Sequence, residues 1–114
     1  MSLAALLTHT CDVEQANPLT RDASGGLVDA TWVAEFLGVA CQAEPVGANA
    51  EAIFLQAGFK VTHLVITQQA GIKAGRRLNF HDGLFLRVQS VETIRPQGMI
   101  DGFYKLHCEE IRLA

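Results

Sequence analysis

Apolar and polar residues alternate in several short segments of the chain, at residues 8–15, 38–44, 84–94 and 103–113. Alternation with a period of two places successive side chains on opposite faces of a strand, so that one face can be buried. The faces predicted to point inward carry His9, Cys11, Val13, Val39, Cys41, Ala43, Leu84, Leu86, Val88, Tyr104, Leu106 and Cys108. The pattern therefore predicts four half-buried strands.

Three further segments have strand character without this clear alternation. Residues 60–69 are rich in β-branched residues and apolar on both faces, which is typical of a central strand. Residues 76–81 precede Asp82-Gly83, a pair that predicts a hairpin turn with positive φ at both central positions. A short extended piece is expected around Trp32, and surface loops are expected at residues 16–26 and 95–102.

The connection at residues 45–59 differs from the strands on either side of it. It begins with Pro and Gly, and "ANAEAIFLQA" within it consists of helix formers, with Asn49 as a possible N-cap. We therefore predict a short helix inside a long loop. Residues 1–114 are expected to form one all-β domain, a small antiparallel β-barrel of about six strands, with a sandwich as the alternative.

Composition points to an interaction surface rather than to a membrane. The chain is 49% hydrophobic with a mean hydropathy of +0.20, and apolar surface left exposed after folding tends to mark a contact face. No apolar run approaches the length that spans a bilayer, and "MSLAALL" lacks the basic start of a secretion signal. We expect no membrane association and a product that stays in the cytoplasm of the cell that made it.

The charge is acidic overall but unevenly distributed. A net charge of -3 argues against electrostatic wrapping of nucleic acid as the main activity. Residues 1–59 carry one basic and seven acidic residues, whereas residues 60–114 carry eight basic and five acidic residues. If the two halves occupy different faces, neighbouring subunits could pair head to tail; if folding interleaves them, the asymmetry cancels.

No arrangement of residues predicts catalysis, a metal or a cofactor. The four histidines and three cysteines match no ligand spacing. Because the number of cysteines is odd and no CxxC pair occurs, we expect them to be reduced and to act as small, mostly buried apolar residues. Cys108 beside His107 is the one candidate for a nucleophile and its base, but neighbours on one strand point to opposite faces. The sequence therefore predicts that the protein is not an enzyme.

A basic and aromatic group at the predicted hairpin permits two interpretations. Arg76 and Arg77, with Phe80 and Phe85 across the turn, could form an oligonucleotide-binding surface of the OB type. Alternatively the phenylalanines belong to the core, while Arg76, Arg77 and Arg87 form a solvated face or a subunit or partner interface. The acidic charge and an aromatic content of 7% favour the second interpretation.

The order of these segments resembles the head-tail joining, or head-closure ("stopper"), proteins of long-tailed bacteriophages and prophages. The resemblance runs through "LLTHTCDV", "DASGGLVDATW", "VACQAEP", an acidic residue at Glu51, "VTHLVIT", "AGRRLNFHDGLFLRVQSVE" and "LHCEE". It covers nearly the whole chain, and it depends on the order of short motifs. One departure is that Gln68 and Gln69 stand where many members have an arginine.

This resemblance implies a structural protein of the virion neck, made in the bacterial host cytoplasm. It implies a ring homo-oligomer, a hexamer or a dodecamer, between the portal or adaptor of the filled head and the tail proteins. It also implies that DNA passes through the ring channel without sequence-specific binding, and that no enzyme activity or cofactor is involved.

We further predict that residues 45–59 form a channel-gating loop, because the connection is long and carries an apolar cluster. The residues assigned to it are Asn49, Glu51, Ile53, Phe54, Leu55 and Phe59. The alternative is a helix that caps one barrel end, with Phe54 and Leu55 in the core.

Overall fold

The computed structural model describes residues 6–16, 32–58, 60–98 and 102–111, which form six strands and one helix. In chain order these are β1 (His9–Ala16), β2 (Trp32–Pro45), α1 (Ala48–Gln56), β3 (His63–Thr67), β4 (Arg77–Asn79), β5 (Phe85–Ile94) and β6 (Phe103–Ile111). Most of the loop predicted at residues 16–26 lies outside the described residues, as do residues 27–31.

The six strands close into an antiparallel barrel. Its strand order is β1-β2-β3-β6-β5-β4, and β4 returns to pair with β1. Every neighbouring pair is antiparallel. Closure removes free sheet edges, which are otherwise sites of unwanted pairing. The predicted fold, a small all-β barrel with a helix in its long loop, is therefore confirmed, and the sandwich alternative is wrong.

The barrel interior is filled by side chains that alternation assigned to the inward faces, together with Val65, Ile72 and Leu78, which it did not assign. The buried cluster consists of Cys11, Val13, Val39, Cys41, Val65, Ile72, Leu78, Leu86, Val88, Leu106 and Cys108. Ala43, Leu84 and Tyr104 are partly buried and pack against it. His9 is exposed at the first residue of β1, so the predicted inward face holds from Cys11 onward.

Strand β2 is longer than the sequence predicted, and it is irregular. The short piece around Trp32 and the strand at 38–44 are one strand of 14 residues, so the prediction of two elements was wrong. Between the pairs Cys11↔Val39 and Glu14↔Ala34 the register shifts twice. Gly38 lies there with φ of 62°, a left-handed conformation that favours glycine in a β-bulge. The bulge lets the strand continue where strict alternation breaks.

A second irregularity in β5 corrects which residues face the core. Val88 pairs with Cys108 and Ser90 pairs with His107, so Gln89 is an extra residue in β5. Without this bulge, Val91 would point outward, because it lies an odd number of residues after the inward-facing Leu86. With it, Val91 pairs with Leu106 and packs against the core.

The hairpin between β4 and β5 is wider than predicted. Strand β4 ends at Asn79 and β5 begins at Phe85, so five residues connect them instead of the Asp82-Gly83 pair alone. Positive φ angles occur at His81 and Gly83, and not at Asp82, so the predicted two-residue turn was wrong. The side chains of Asn79 and Asp82 accept hydrogen bonds from the backbone N–H groups of His81 and Leu84. These local bonds stabilise the wider turn.

The barrel closes between β1 and β4, and this contact is as short as that between β4 and β5. Only three residue pairs join these strands: Asp12↔Asn79, Val13↔Leu78 and Glu14↔Arg77. We call this contact the β1–β4 seam. Leu78 is fully buried and lies in register with Val13 on one side and Leu86 on the other. The seam is thus held from inside by three apolar side chains.

We expect Leu86→Ala to destabilise the barrel by about 2–5 kcal/mol, because it removes a fully buried side chain and leaves a cavity beside Leu78. Urea unfolding monitored by circular dichroism measures the change. Leu55→Ala is the matched control, since Leu55 is 55% exposed on α1, and it should change stability by no more than about 0.5 kcal/mol. Equal effects of the two substitutions would contradict the assignment of Leu86 to the core.

Candidate functional site

Helix α1 stands on a loop whose two ends meet. The N–H of Val46 donates to the carbonyl oxygen of Thr62 at 2.9 Å, which joins the chain just before the helix to the chain after it. The helix begins after Gly47, which is its N-cap and makes no side-chain capping bond. The predicted cap at Asn49 was wrong, because Asn49 is the second residue of the helix.

The helix leaves its apolar residues outside the core. It contains no buried residue, and Ile53 and Leu55 are 65% and 55% exposed. Phe54 is half-buried, and its ring meets the His107 ring edge-on with centroids 5.2 Å apart. His107 neighbours the inward-facing Cys108 on β6, so this contact lies on the outer face of the barrel.

The alternative of a helix that caps the barrel is therefore not observed, since neither Phe54 nor Leu55 belongs to the buried cluster. Among the other residues assigned to the gating loop, Asn49 is exposed and Glu51 is half-buried in the first turn. Phe59 lies outside the described residues.

Arg77 occupies a half-buried site on the outer face of the β1–β4 seam. Its guanidinium lies 4.5 Å from the centroid of the Trp32 ring and 4.8 Å from that of Phe85. Its Nη2 is 2.6 Å from the Glu14 carboxylate, and the Arg77 and Glu14 side chains are only 12% and 14% exposed. Cation–π contact and an ion pair of low exposure together bind β2, β1, β4 and β5.

The other two arginines of the predicted interface differ in environment. Arg76 pairs with Glu35 at 3.0 Å, and both side chains are 22% exposed. Arg87 is exposed and lies in register with Arg77 and Glu109. Of the three, Arg87 is therefore the one whose side chain is most open to a partner.

These ion pairs also answer the question of charge asymmetry for the residues concerned. Glu14 and Glu35 belong to the acidic first half of the chain, and their partners Arg77 and Arg76 to the basic second half. Folding interleaves these charges and neutralises them within one subunit. For this part of the barrel, the charges of the acidic first half and the basic second half therefore cancel, which is the second of the two alternatives.

Asp12 links three elements at the opposite edge of the seam. Its carboxylate accepts a hydrogen bond from the N–H of Gly38 at 2.9 Å and lies 2.7 Å from Nε2 of His81. The Gly38 N–H, and then His81, hold the pKa of Asp12 below its ordinary value of 3.8. The negative charge therefore stabilises both the β2 bulge and the left-handed His81 at the hairpin.

The described residues do not assemble the metal site or the cysteine–histidine pair that the sequence was searched for. In residues 6–16, 32–58, 60–98 and 102–111, no three His, Cys, Asp or Glu side chains gather around a possible metal position. Cys108 points into the core, whereas His107 contacts Phe54 on the outside, as strand alternation predicted. In the same part of the chain no helix is both long and apolar enough to cross a membrane.

The fold and these contacts define the chain as a small closed antiparallel β-barrel with an exposed apolar helix. Neither a protein-family model nor a curated protein sequence matches the chain.

Sequence reasoning placed Phe85 across the turn from Arg77 but missed Trp32 and Glu14. Trp32 lies on β2 and Glu14 on β1, and only the closed barrel brings them beside Arg77. The only local signal was the outward alternation of Phe85 and Arg87 on β5, which says nothing about strands β1 and β2.

We expect Arg77→Ala to lower stability by about 2 kcal/mol, because it removes two cation–π contacts and leaves Glu14 partly buried without its partner. Chemical unfolding measures the loss, and the emission of Trp32, the single tryptophan, should change in the folded state. Arg87→Ala is the control, with a change within about 0.5 kcal/mol because Arg87 is exposed. Similar small changes in both variants would contradict a structural role for Arg77.

Asp12→Asn should cost about 1 kcal/mol at pH 6, since it keeps the shape of the side chain but removes the charge that Gly38 and His81 stabilise. The pKa of Asp12 is lowered in the folded state, so this contribution is present above pH 3.8 and is lost as pH falls through the lower native value. Unfolding curves of both proteins from pH 6 to acid measure the difference. A difference that stays constant or grows in acid would contradict the assignment.

Proposed function

We propose that the chain is a structural connector protein of a tailed phage or prophage. In this role it forms a ring that joins the portal or adaptor complex of the DNA-filled head to the tail, and closes the channel. The observation that carries the proposal is helix α1, an apolar element held outside the barrel core.

The sequence of α1 explains why one neighbour could not cover it. Ala52, Ile53, Phe54 and Leu55 follow one another, and residues on an α-helix are spaced about 100° apart around its axis. Apolar side chains therefore point to every side of this helix, a distribution typical of helices that are buried among other elements on all sides. In the isolated subunit only Phe54 has a described aromatic partner, His107 on the same barrel.

A ring supplies the missing surroundings without further sequence. Helices from several subunits at a common axis would pool Ile53 and Leu55 and shield them from water, which favours burial by the hydrophobic effect. The same pooled residues would narrow the channel and hold DNA back. The hydrogen bond between Val46 and Thr62 joins the two ends of the α1 segment. In the proposed ring, α1 therefore moves while the barrel wall stays intact.

The arginines support a division of roles within the proposed ring. Arg76 and Arg77 are engaged inside their own subunit, whereas Arg87 is exposed beside Glu109. We assign contact with a neighbouring subunit or partner protein chiefly to Arg87. Such a contact would be sensitive to salt, because charges on exposed side chains are screened.

The alternative, an OB-like oligonucleotide-binding module, finds less support at the aromatic residues it requires. Phe80 packs against the core, and one face of Phe85 is covered by the Arg77 guanidinium. Bases stack on open aromatic faces, whereas both phenylalanines are half-buried. Tight binding of single-stranded DNA at moderate salt would favour the alternative over the connector.

We expect a variant with residues 47–57 replaced by a short Gly-Ser linker to keep nearly the wild-type melting temperature, because α1 contributes no buried residue. Phage heads assembled with this variant should still receive the protein, yet lose DNA before tails attach. Nuclease sensitivity of the packaged DNA measures the loss. A matched control is Leu37→Ser, which removes an apolar side chain that is 75% exposed on the barrel wall and leaves α1 unchanged.

Two outcomes would contradict the gating role of α1. Heads that retain DNA with the linker variant would show that the helix does not close the channel. A linker variant that fails to fold would show that α1 stabilises the barrel, as in the cap alternative. The Leu37→Ser control should retain DNA, and loss of DNA in both variants would assign the defect to exposed apolar surface in general.

A further inference from the structure

Two buried thiols touch each other inside the barrel wall. The sulfur atoms of Cys11 on β1 and Cys41 on β2 are 3.7 Å apart, and both residues are free cysteines with 1% and 0% exposure. They are diagonal neighbours on the inward face, since Cys11 pairs with Val39 and Cys41 pairs with His9. The contact is between adjacent strands but spans a long stretch of sequence.

The third cysteine provides an internal comparison. Cys108 is equally buried, but its thiol contacts the carbonyl oxygen of Leu106 at 3.6 Å instead of another sulfur. Burial raises the pKa of the Cys108 thiol. It is therefore expected to remain a protonated, unreactive core residue.

The contact between Cys11 and Cys41 makes their two thiols unequal. The hydrogen bond with Cys11 lowers the pKa of Cys41, although burial opposes the effect, while the same hydrogen bond raises the pKa of Cys11. A thiolate that is stabilised by a neighbouring thiol can react with an oxidant to give a sulfenic acid. The neighbouring thiol can then attack this sulfenic acid to form a disulfide.

We propose that Cys11 and Cys41 form a reversible cross-strand disulfide when the folded chain meets hydrogen peroxide. The Cys41 thiol loses its proton, and the thiolate attacks one peroxide oxygen. The O–O bond breaks, and the leaving hydroxide takes up the released proton, so that a sulfenic acid and water result. The Cys11 sulfur then attacks the Cys41 sulfur, the S–O bond breaks, and a second water leaves. Two thiols and one peroxide thus give one disulfide and two waters, with both sulfurs oxidised and the peroxide reduced.

The geometry indicates how such a bond would behave. Diagonal partners must draw together to bring their sulfurs into bonding range, so the disulfide would be under strain and readily reduced by small thiols. The sulfurs are shielded from solvent, so the reaction should wait for a local opening of β1 and β2. Once formed, the bond would hold these two strands together and suppress that opening.

The test treats the folded full chain with hydrogen peroxide and counts free thiols after denaturation. The three thiols should fall to one, with a mass about 2 Da lower and no covalent dimer. Trypsin cleavage after Arg21, Lys60 and Lys105 separates the cysteines, so the linked peptide identifies the pair. Dithiothreitol should restore three thiols, and hydrogen exchange of β1 and β2 should be slower in the oxidised form.

Two variants make the experiment selective. Cys108→Ala should still lose both of its thiols, whereas Cys41→Ala should keep both over the same time. A native chain that keeps three thiols under conditions that oxidise the urea-unfolded chain would overturn the proposal. So would a link through Cys108, a disulfide between two chains, or sulfinic acid at Cys41. Unchanged hydrogen exchange after oxidation would overturn the part of the proposal in which the bond locks the strands.

Discussion

Closure of the barrel through three residue pairs between β1 and β4 is the constraint on which the rest of the structure depends. A sheet that closes needs every inward position filled, and it needs the last seam to be held although strand β4 is short. Leu78 fills the inward position of β4, between Val13 and Leu86. The residue pairs on either side of Val13 and Leu78 point outward, because side chains alternate along a strand. Charged groups at these outward positions hold the seam on the outer face.

Two charged clusters together hold the β1–β4 seam from outside. Arg77 with Glu14 lies at one end of the β1–β4 seam, and Asp12 with His81 lies near the other. Each joins strands that sequence alone keeps far apart. Helix α1 is the opposite case, since it adds apolar surface without adding to the core. Stability thus depends on the barrel wall, whereas the proposed gating depends on α1.

The alternation of apolar and polar residues predicted the features that depend only on residues within one strand. The inward residues of β1, β5 and β6 followed from alternation, because a period of two holds within each regular strand. The bulges at Gly38 and Gln89 depend on pairing with another strand, and so alternation could not locate them. The site of Arg77 required closure of the barrel to bring Trp32 beside it. The position of α1 was predicted, but its exposure depends on tertiary packing.

The hydrogen bond between Val46 and Thr62 has a consequence for how this chain can vary. It fixes the two ends of the α1 segment side by side, so the length of the chain between them has little influence on the strands it connects. Insertions, deletions or a labelled peptide could be accepted there while the wall keeps its register. The barrel is thus a constant frame, and the segment is an interchangeable module that could adapt to different partners without refolding the frame.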